Sequence, residues 1–183
     1  VCEQLHFPLQ SGSDRILRAM HRGYNRRKYL ARLVMAREVI SGLAVSTDII
    51  VGFPGETDAD FEETLEVVGE ARFDQAFTFI FSPRPGTRAA EMIDLFVPDE
   101  VIQERFGRLI ELQDGISLER NREMLGQRIE VLGEGPSRKN PMVATTRSRT
   151  GKVVHVDGEL TAGRFFDVEI VEARPHHLLG IPV

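Results

Sequence analysis

The run Val45-Ser46-Thr47-Asp48-Ile49-Ile50-Val51-Gly52-Phe53-Pro54-Gly55-Glu56-Thr57-Asp58-Ala59-Asp60-Phe61 contains a strand, a tight turn and the start of a helix without interruption. Ile49 to Val51 is apolar and β-branched without alternation, the pattern of a strand covered on both faces, as in a parallel sheet. Gly52 ends it. Pro54-Gly55 then supplies turn chemistry, proline fixing one φ and glycine being free to take a positive one. Thr57 is placed to cap a helix, with Asp60 three residues on and Phe61, Leu65 and Val68 at helical spacing. The whole is a βα unit. Ligands of such units sit beyond the carboxyl ends of the strands, near turn amides and the helix N-terminus. Asp48 and the turn from Gly52 to Glu56 therefore lie on a candidate rim. The chain has no GxGxxG and no GK[ST], so a phosphate cradle is not indicated.

Two more units flank this one. Upstream, Leu5 to Leu9 reads as a strand and Gln10-Ser11-Gly12-Ser13 as a turn, with Ser13 capping a helix that carries Ile16, Leu17 and Met20. A basic link from His21 to Lys28 leads into a second helix, with Tyr29, Leu30, Leu33, Val34 and Val39 on its inner side and Gly42 closing it. Downstream, Gln75 to Ser82 is a strand with phenylalanines at alternate positions, assigned to the core together with Met20 and Met35. The turn Pro83-Arg84-Pro85-Gly86-Thr87 follows, and a long helix runs from Pro98 to about Arg122. Three alternations of strand and helix imply a parallel sheet with right-handed crossovers. Three strands do not close a barrel, so a further part of the protein, or another subunit, is expected to cover the open edges and face. The opening on Val1 reads as a cut into a longer protein.

After Arg122 the pattern changes. Gln127 to Leu132, Met142 to Thr146, Val153 to Val156 and Phe165 to Val171 are short, mostly alternating strands separated by glycine-containing turns. They predict a small antiparallel β-barrel of the nucleic-acid-binding kind, so residues 1–122 and 123–183 are read as two domains. The net charge of −5 argues against a wholly basic nucleic-acid binder. Within the second domain, however, residues 136–152 carry Arg138, Lys139, Arg147, Arg149 and Lys152 and no acidic residue, a local cationic loop suited to phosphates. The one cysteine, Cys2, excludes internal disulfides and a cysteine-ligated cluster built from these residues alone. A reducing, cytoplasmic setting is expected, and no apolar run is long enough to span a bilayer. The adjacent His176 and His177 are expected to point to opposite faces of a strand and not to chelate together.

Three ordered blocks then carry a family resemblance: His6-Phe7-Pro8-Leu9-Gln10-Ser11-Gly12-Ser13, Asp48-Ile49-Ile50-Val51-Gly52-Phe53-Pro54-Gly55-Glu56-Thr57 and Phe79-Ile80-Phe81-Ser82-Pro83-Arg84-Pro85-Gly86-Thr87. They resemble the radical S-adenosylmethionine methylthiotransferases, most closely the tRNA (MiaB-type) branch, and the last 60 or so residues resemble the TRAM domain of the same enzymes. The resemblance implies part of a (βα) radical SAM barrel followed by an OB-like TRAM barrel. It also implies an activity that replaces C–H by C–S–CH3 on an isopentenylated adenosine beside the tRNA anticodon. The implied cofactors are S-adenosylmethionine and two 4Fe-4S clusters, and the implied partners are tRNA, the N-terminal part of the same chain and an electron-donor protein. The CxxxCxxC loop of the family is absent, and Cys2 matches neither set of cluster cysteines, so this stretch alone is expected to be inactive. Gln10, Ser11, Asp48, Gly52 and Glu56 are the expected walls of the S-adenosylmethionine or substrate pocket. His6 reads as a buried, hydrogen-bonded strand histidine in preference to a proton donor, and Arg84 and Thr87 as either ligand contacts or a surface turn. A sister branch acting on an aspartate of a ribosomal protein, and a role as RNA-binding module only, are the alternative functions.

Overall fold

The computed structural model describes residues 2–138 and 140–183. Strand β1 (Gln4–His6) leads into α1 (Asp14–Ala19) and α2 (Arg26–Val39), followed by β2 (Ala44–Val51), α3 (Asp58–Ala71) and β3 (Gln75–Ile80). A short α4 (Arg88–Glu91), a 3-10 turn (Ile93–Leu95) and the long α5 (Asp99–Arg122) complete the α/β part. Five strands follow: β4 (Arg128–Pro136), β5 (Val143–Ser148), β6 (Val153–Asp157), β7 (Phe165–Ala173) and β8 (Leu178–Pro182). Contacts group the chain into two units. One comprises His6–Ile40 and Val45–Gln113; the other comprises the residues through Leu5, Ser41–Ala44 and Asp114–Val183.

The first three strands form one sheet in the order β1-β2-β3. β2 and β3 are parallel, with Asp48 opposite Phe77 and Ile50 opposite Phe79, and a parallel bridge joins Gln10 to Ile49. Alternation along β2 separates two faces. Val45, Thr47, Ile49 and Val51 are buried among the apolar side chains of this unit, whereas Asp48 and Ile50 are only partly covered. The helices owe their starts to local chemistry. Thr57 Oγ1 accepts from the Asp60 N–H and the Asp60 carboxylate accepts from the Thr57 N–H, so α3 begins with the expected capping box. Before it, the Glu56 N–H reaches Phe53 O at 2.9 Å, and Gly55 at φ 81° follows Pro54, as a type II turn requires.

Gly12 is needed for a different reason. Its N–H donates to Thr64 Oγ1 at 2.9 Å, and a Cβ there would fall on the α3 backbone at Glu63 and Thr64. Gly12→Ala is therefore expected to destabilise the protein by about 1–3 kcal/mol through overpacking. Gly69→Ala, in the same helix with open space around it, is expected to stabilise by about 0.5–1 kcal/mol. Urea unfolding midpoints of the two variants check this, since they should move in opposite directions.

Three expectations about burial need correction. Val34 and Val39 are exposed, and the inner side of α2 is Tyr29 and Leu33, with Tyr29 stacked on Phe7 at 4.4 Å. Met35 is 60% exposed, and Phe77 and Phe79 are 43% and 51% exposed. Apolar spacing assigned these side chains to a core, but no described element covers that side of β3 or the outer stripe of α2. On the second face of β2 Ala44 and Ser46 are buried but Asp48 and Ile50 are only partly covered, short of the full cover its unbroken apolar run predicts.

The second unit contains a closed barrel in the order β4-β5-β6-β8-β7, around Val131, Val154, Val156, Val168, Ile170 and Leu178. Four of its pairs are antiparallel, and β6 pairs with β8 in parallel. The four predicted strands are present, two of them starting one residue later and all four running further at the C-terminal end. The fifth was not read from the sequence, because Leu178-Leu179-Gly180-Ile181-Pro182 is short and holds a glycine and a proline, both depleted in strands. Gly180 suits its place, since its Cα faces Val154 and Val168 across the barrel core.

Candidate functional site

The less covered face of the sheet brings together side chains from all three strands. His6 Nδ1 lies 2.9 Å from Ser46 Oγ, and His6 Nε2 lies 3.3 Å from Asp48 Oδ2. An ionised carboxylate only accepts, so Nε2–H donates to Asp48, and in the neutral ring Nδ1 accepts the Ser46 hydroxyl. The His6 ring also meets the Phe77 ring edge-on, with centroids 6.0 Å apart. The result is an oriented imidazole, hydrogen-bonded as expected but half-exposed and not buried because no described element covers this face, and a partly covered carboxylate beside Ile50, Phe77 and Phe79. Such a face offers a polar ligand two hydrogen-bonding groups and an aromatic wall.

At the carboxyl end of the strands stand the other expected pocket residues. Gln10 adopts φ 71°, its N–H donating to Asp48 O at 2.8 Å and its carbonyl accepting the Ile50 N–H at 2.9 Å. A left-handed conformation at a non-glycine residue is costly and tends to mark functional positions. Ser11 is buried, with Oγ accepting from the Ser13 N–H at 3.2 Å. Gly52, at φ 77°, donates its N–H to Glu56 Oε2 at 3.0 Å. Glu56 is buried as well, and Arg105 from α5 donates to the same Oε2 at 3.0 Å. The structure thus brings Gln10 to Asp48 and Gly52 to Glu56. Of these five residues only Asp48 directs its side chain to the open face; the Glu56 carboxylate holds the turn closed.

In the β-barrel unit the basic segment does not stand alone. Arg147 makes a bidentate pair with Glu134, at 2.7 and 3.1 Å, and also donates to Gly151 O. Arg149 grips Glu3 at 2.9 and 3.0 Å and holds that carboxyl below its ordinary range. Lys152 Nζ donates to Asn121 Oδ1 at 2.8 Å. Arg138 is exposed, and Lys139 lies outside the described residues. Two of the five charges that are cationic in sequence, Arg147 and Arg149, are therefore met by carboxylates from elsewhere in their own unit. His176 and His177 do separate, but in a bend before β8. His176 faces Asp114 at 3.6 Å, and His177 meets His155 with ring centroids 5.1 Å apart. Among the described residues no group of three or more His, Cys, Asp or Glu is arranged to hold a metal.

Residues 2–68 match the Radical SAM superfamily and residues 122–183 match the TRAM domain. The chain carries a radical SAM region followed by a TRAM domain. Its relatives include tRNA-2-methylthio-N(6)-dimethylallyladenosine synthase 1 of Mycobacterium marinum, 53% identical over 98% of this chain and 35% of the relative. The synthases of Nocardia farcinica and Tropheryma whipplei are 52% and 49% identical over the same share, covering 37% and 39% of their lengths. The chain thus spans a little over a third of the curated relatives it matches. Among solved structures, the radical SAM enzyme coproporphyrinogen III oxidase of Escherichia coli superposes with a TM-score of 0.54 at 14% identity. That match covers 80% of this chain and 41% of the oxidase and supports the fold. The methylthiotransferase resemblance read from the three blocks is borne out, as is a partial parallel barrel followed by an OB-like one.

Sequence reasoning missed two features of this radical SAM–TRAM chain. Arg105 sits in a helix rich in both charges, and nothing local distinguishes it from Arg108, which stays exposed. Ser46 had no motif to mark it. Its role follows from parallel strand order, which places His6 beside a residue 40 positions away.

Proposed function

We propose that the chain is part of a tRNA methylthiotransferase, adding a methylthio group to C2 of isopentenyladenosine beside the anticodon. The observation that carries this reading is identity of about 50% to synthases of that name across 98% of the chain, through both matched regions. Residues 1–122 act as the C-terminal part of the radical SAM barrel and residues 123–183 as the RNA-binding TRAM domain. The exposed Phe77 and Phe79 and the partly covered Ile50 support this division. Left in water they cost roughly 25 cal/mol per Å2 of apolar surface, and the rest of the same polypeptide would cover them.

S-adenosylmethionine fits the open sheet face: Asp48 and His6 offer partners for its hydroxyl and ammonium groups, and Phe77 an aromatic wall. Gln10, Ser11, Gly52 and Glu56 shape the rim around it. A 4Fe-4S cluster does not fit the described residues, whose one cysteine, Cys2, is exposed and has no companion ligands. When bound, S-adenosylmethionine supplies the radical chemistry; the share of this chain is to orient, desolvate and hold. The TRAM domain contributes RNA contacts through Arg138, Lys139, Arg147, Arg149 and Lys152. A cytoplasmic location and an electron-donor protein belong to the same reading. Among the described residues no helix is long and apolar enough to cross a membrane.

Mass spectrometry of tRNA from a strain lacking the gene tests the proposal. Loss of the 2-methylthio group is the expected result. An unchanged tRNA, with a ribosomal protein now lighter by one methylthio group, would assign the activity to the protein-modifying branch.

A further inference from the structure

The α/β unit holds a cleft of about 620 Å3 that is lined by none of Gln10, Ser11, Asp48, Gly52 and Glu56, although it shares Ile50 with the open sheet face. Its floor is apolar, formed by Ile50 at the end of β2 and by Phe53 and Phe81, whose rings meet edge-on at 5.4 Å. Its wall is cationic. Arg15, Arg18, His21, Arg22 and Arg88 line it, and no carboxylate does. A neighbouring hollow of about 340 Å3 shares Arg18 and Arg22 and adds Lys28. Asp14 lines that hollow too, with Oδ1 accepting the Arg26 N–H at 2.7 Å.

The state of these arginines separates them from the basic segment of the TRAM domain. Arg15 is committed to Asp60 and to Gly55 O. Arg18, Arg22 and Arg88 are exposed and, among the described residues, make no side-chain hydrogen bond or ion pair. Arg147 and Arg149, by contrast, are each held bidentately by a carboxylate that an incoming phosphate would have to displace. Guanidinium groups left uncompensated around a concave surface repel one another and raise the local potential for a polyanion. Their planar forks match phosphate oxygens, and an apolar floor between cations suits the bases of a single strand, which an acidic peptide does not carry.

We propose that Arg18, Arg22 and Arg88 grip the phosphate backbone of the RNA beside the carboxyl end of β2, and that this cleft supplies more of the salt-dependent affinity than the basic segment of the TRAM domain. The proposal rests on the RNA-acceptor reading and adds where its backbone is held. The test titrates the intact protein with an anticodon stem-loop RNA over a series of KCl concentrations. With R18Q/R22Q, the slope of log affinity against log salt is expected to shrink by about 1.5, two phosphate contacts' worth. R88Q should shrink it by about half as much, and R147Q/R149Q by less than R18Q/R22Q. Among the described residues neither the Arg18 nor the Arg22 side chain has a partner, so the unfolding midpoint should not move. A wild-type slope retained in R18Q/R22Q and in R88Q overturns the proposal while leaving an RNA acceptor in place. A wild-type protein that ignores the RNA and instead binds a polyglutamate peptide overturns the RNA reading and the proposal together.

Discussion

Replacing Arg105 with leucine is expected to lower the unfolding free energy by about 3–5 kcal/mol, the usual cost of removing one partner from a buried ion pair. Arg105 is 3% exposed, and its guanidinium has three acceptors. Nη1 donates to Glu56 Oε2 at 3.0 Å and to Glu56 O at 3.3 Å, while Nη2 donates to Asp58 Oδ1 at 2.6 Å. Asp58 is exposed and loses little when the pair is cut. Glu56 is different, for it would remain buried with the Gly52 N–H as its remaining donor. Burial already pushes the Glu56 carboxyl above its ordinary value, despite the opposing pull of Gly52 and Arg105. A carboxyl raised in the folded state binds its proton more tightly there than in the unfolded chain, where the pKa is about 4.3. Its contribution is therefore full below that value and is lost as pH rises through the folded pKa. Arg105→Leu should raise the folded pKa further, so its deficit should be larger at pH 8 than at pH 5. Adding Glu56→Gln should restore part of the loss, because the buried charge is then gone. Urea unfolding of the three variants at both pH values measures this. A deficit for Arg105→Leu below about 1 kcal/mol, or one independent of pH, would show that the pair does not hold the turn.

Asp60→Ala is expected to cost about 2–4 kcal/mol, from a lost helix cap and from buried donors left without an acceptor. The carboxylate is buried and accepts from Ser13 Oγ at 2.6 Å, from the Thr57 N–H at 2.8 Å, from Thr57 Oγ1, and from Arg15 through both Nε and Nη2. Burial alone would raise its pKa, but the hydrogen bonds from Arg15, Ser13 and Thr57 together hold it far below the ordinary range. The sign is thus opposite to that of Glu56. Stability from Asp60 is present above the unfolded pKa of about 3.9 and is lost as pH falls below it. Asp60→Asn should retain part of the cap and lose the acid sensitivity, giving a flatter curve of unfolding free energy below pH 4 than wild type. Parallel curves for the two proteins would assign the acid response to other carboxylates.

Glu56 and Asp60 lie four residues apart in the stretch from which the fold was read, and they were not equally legible. Asp60 follows Thr57 at capping-box spacing, so its contact with the Thr57 N–H is a local fact visible in one turn of chain. Glu56 looked like a rim residue facing a ligand. What assigns it to the turn is Arg105, 49 positions away, which no periodicity within α5 singles out. The basic segment behaved in the same way. Its five charges were counted correctly, but Glu134 and Glu3 answer two of them from outside the segment, and Glu3 is 146 positions from Arg149.

Read alone, the chain settled what neighbours a few residues apart settle: three strand-to-helix units, the Pro54-Gly55 turn, the Thr57 cap and four strands of the barrel. Those features depend on φ preferences, capping and side-chain period, which act within one or two turns. The parallel closure by β8, the His6–Ser46–Asp48 group, the Arg105–Glu56 pair and the exposure of Phe77 and Phe79 came only with the folded chain. Each depends on strand order and on which elements cover a face, and a contact between distant residues leaves no spacing in the sequence from which it can be read.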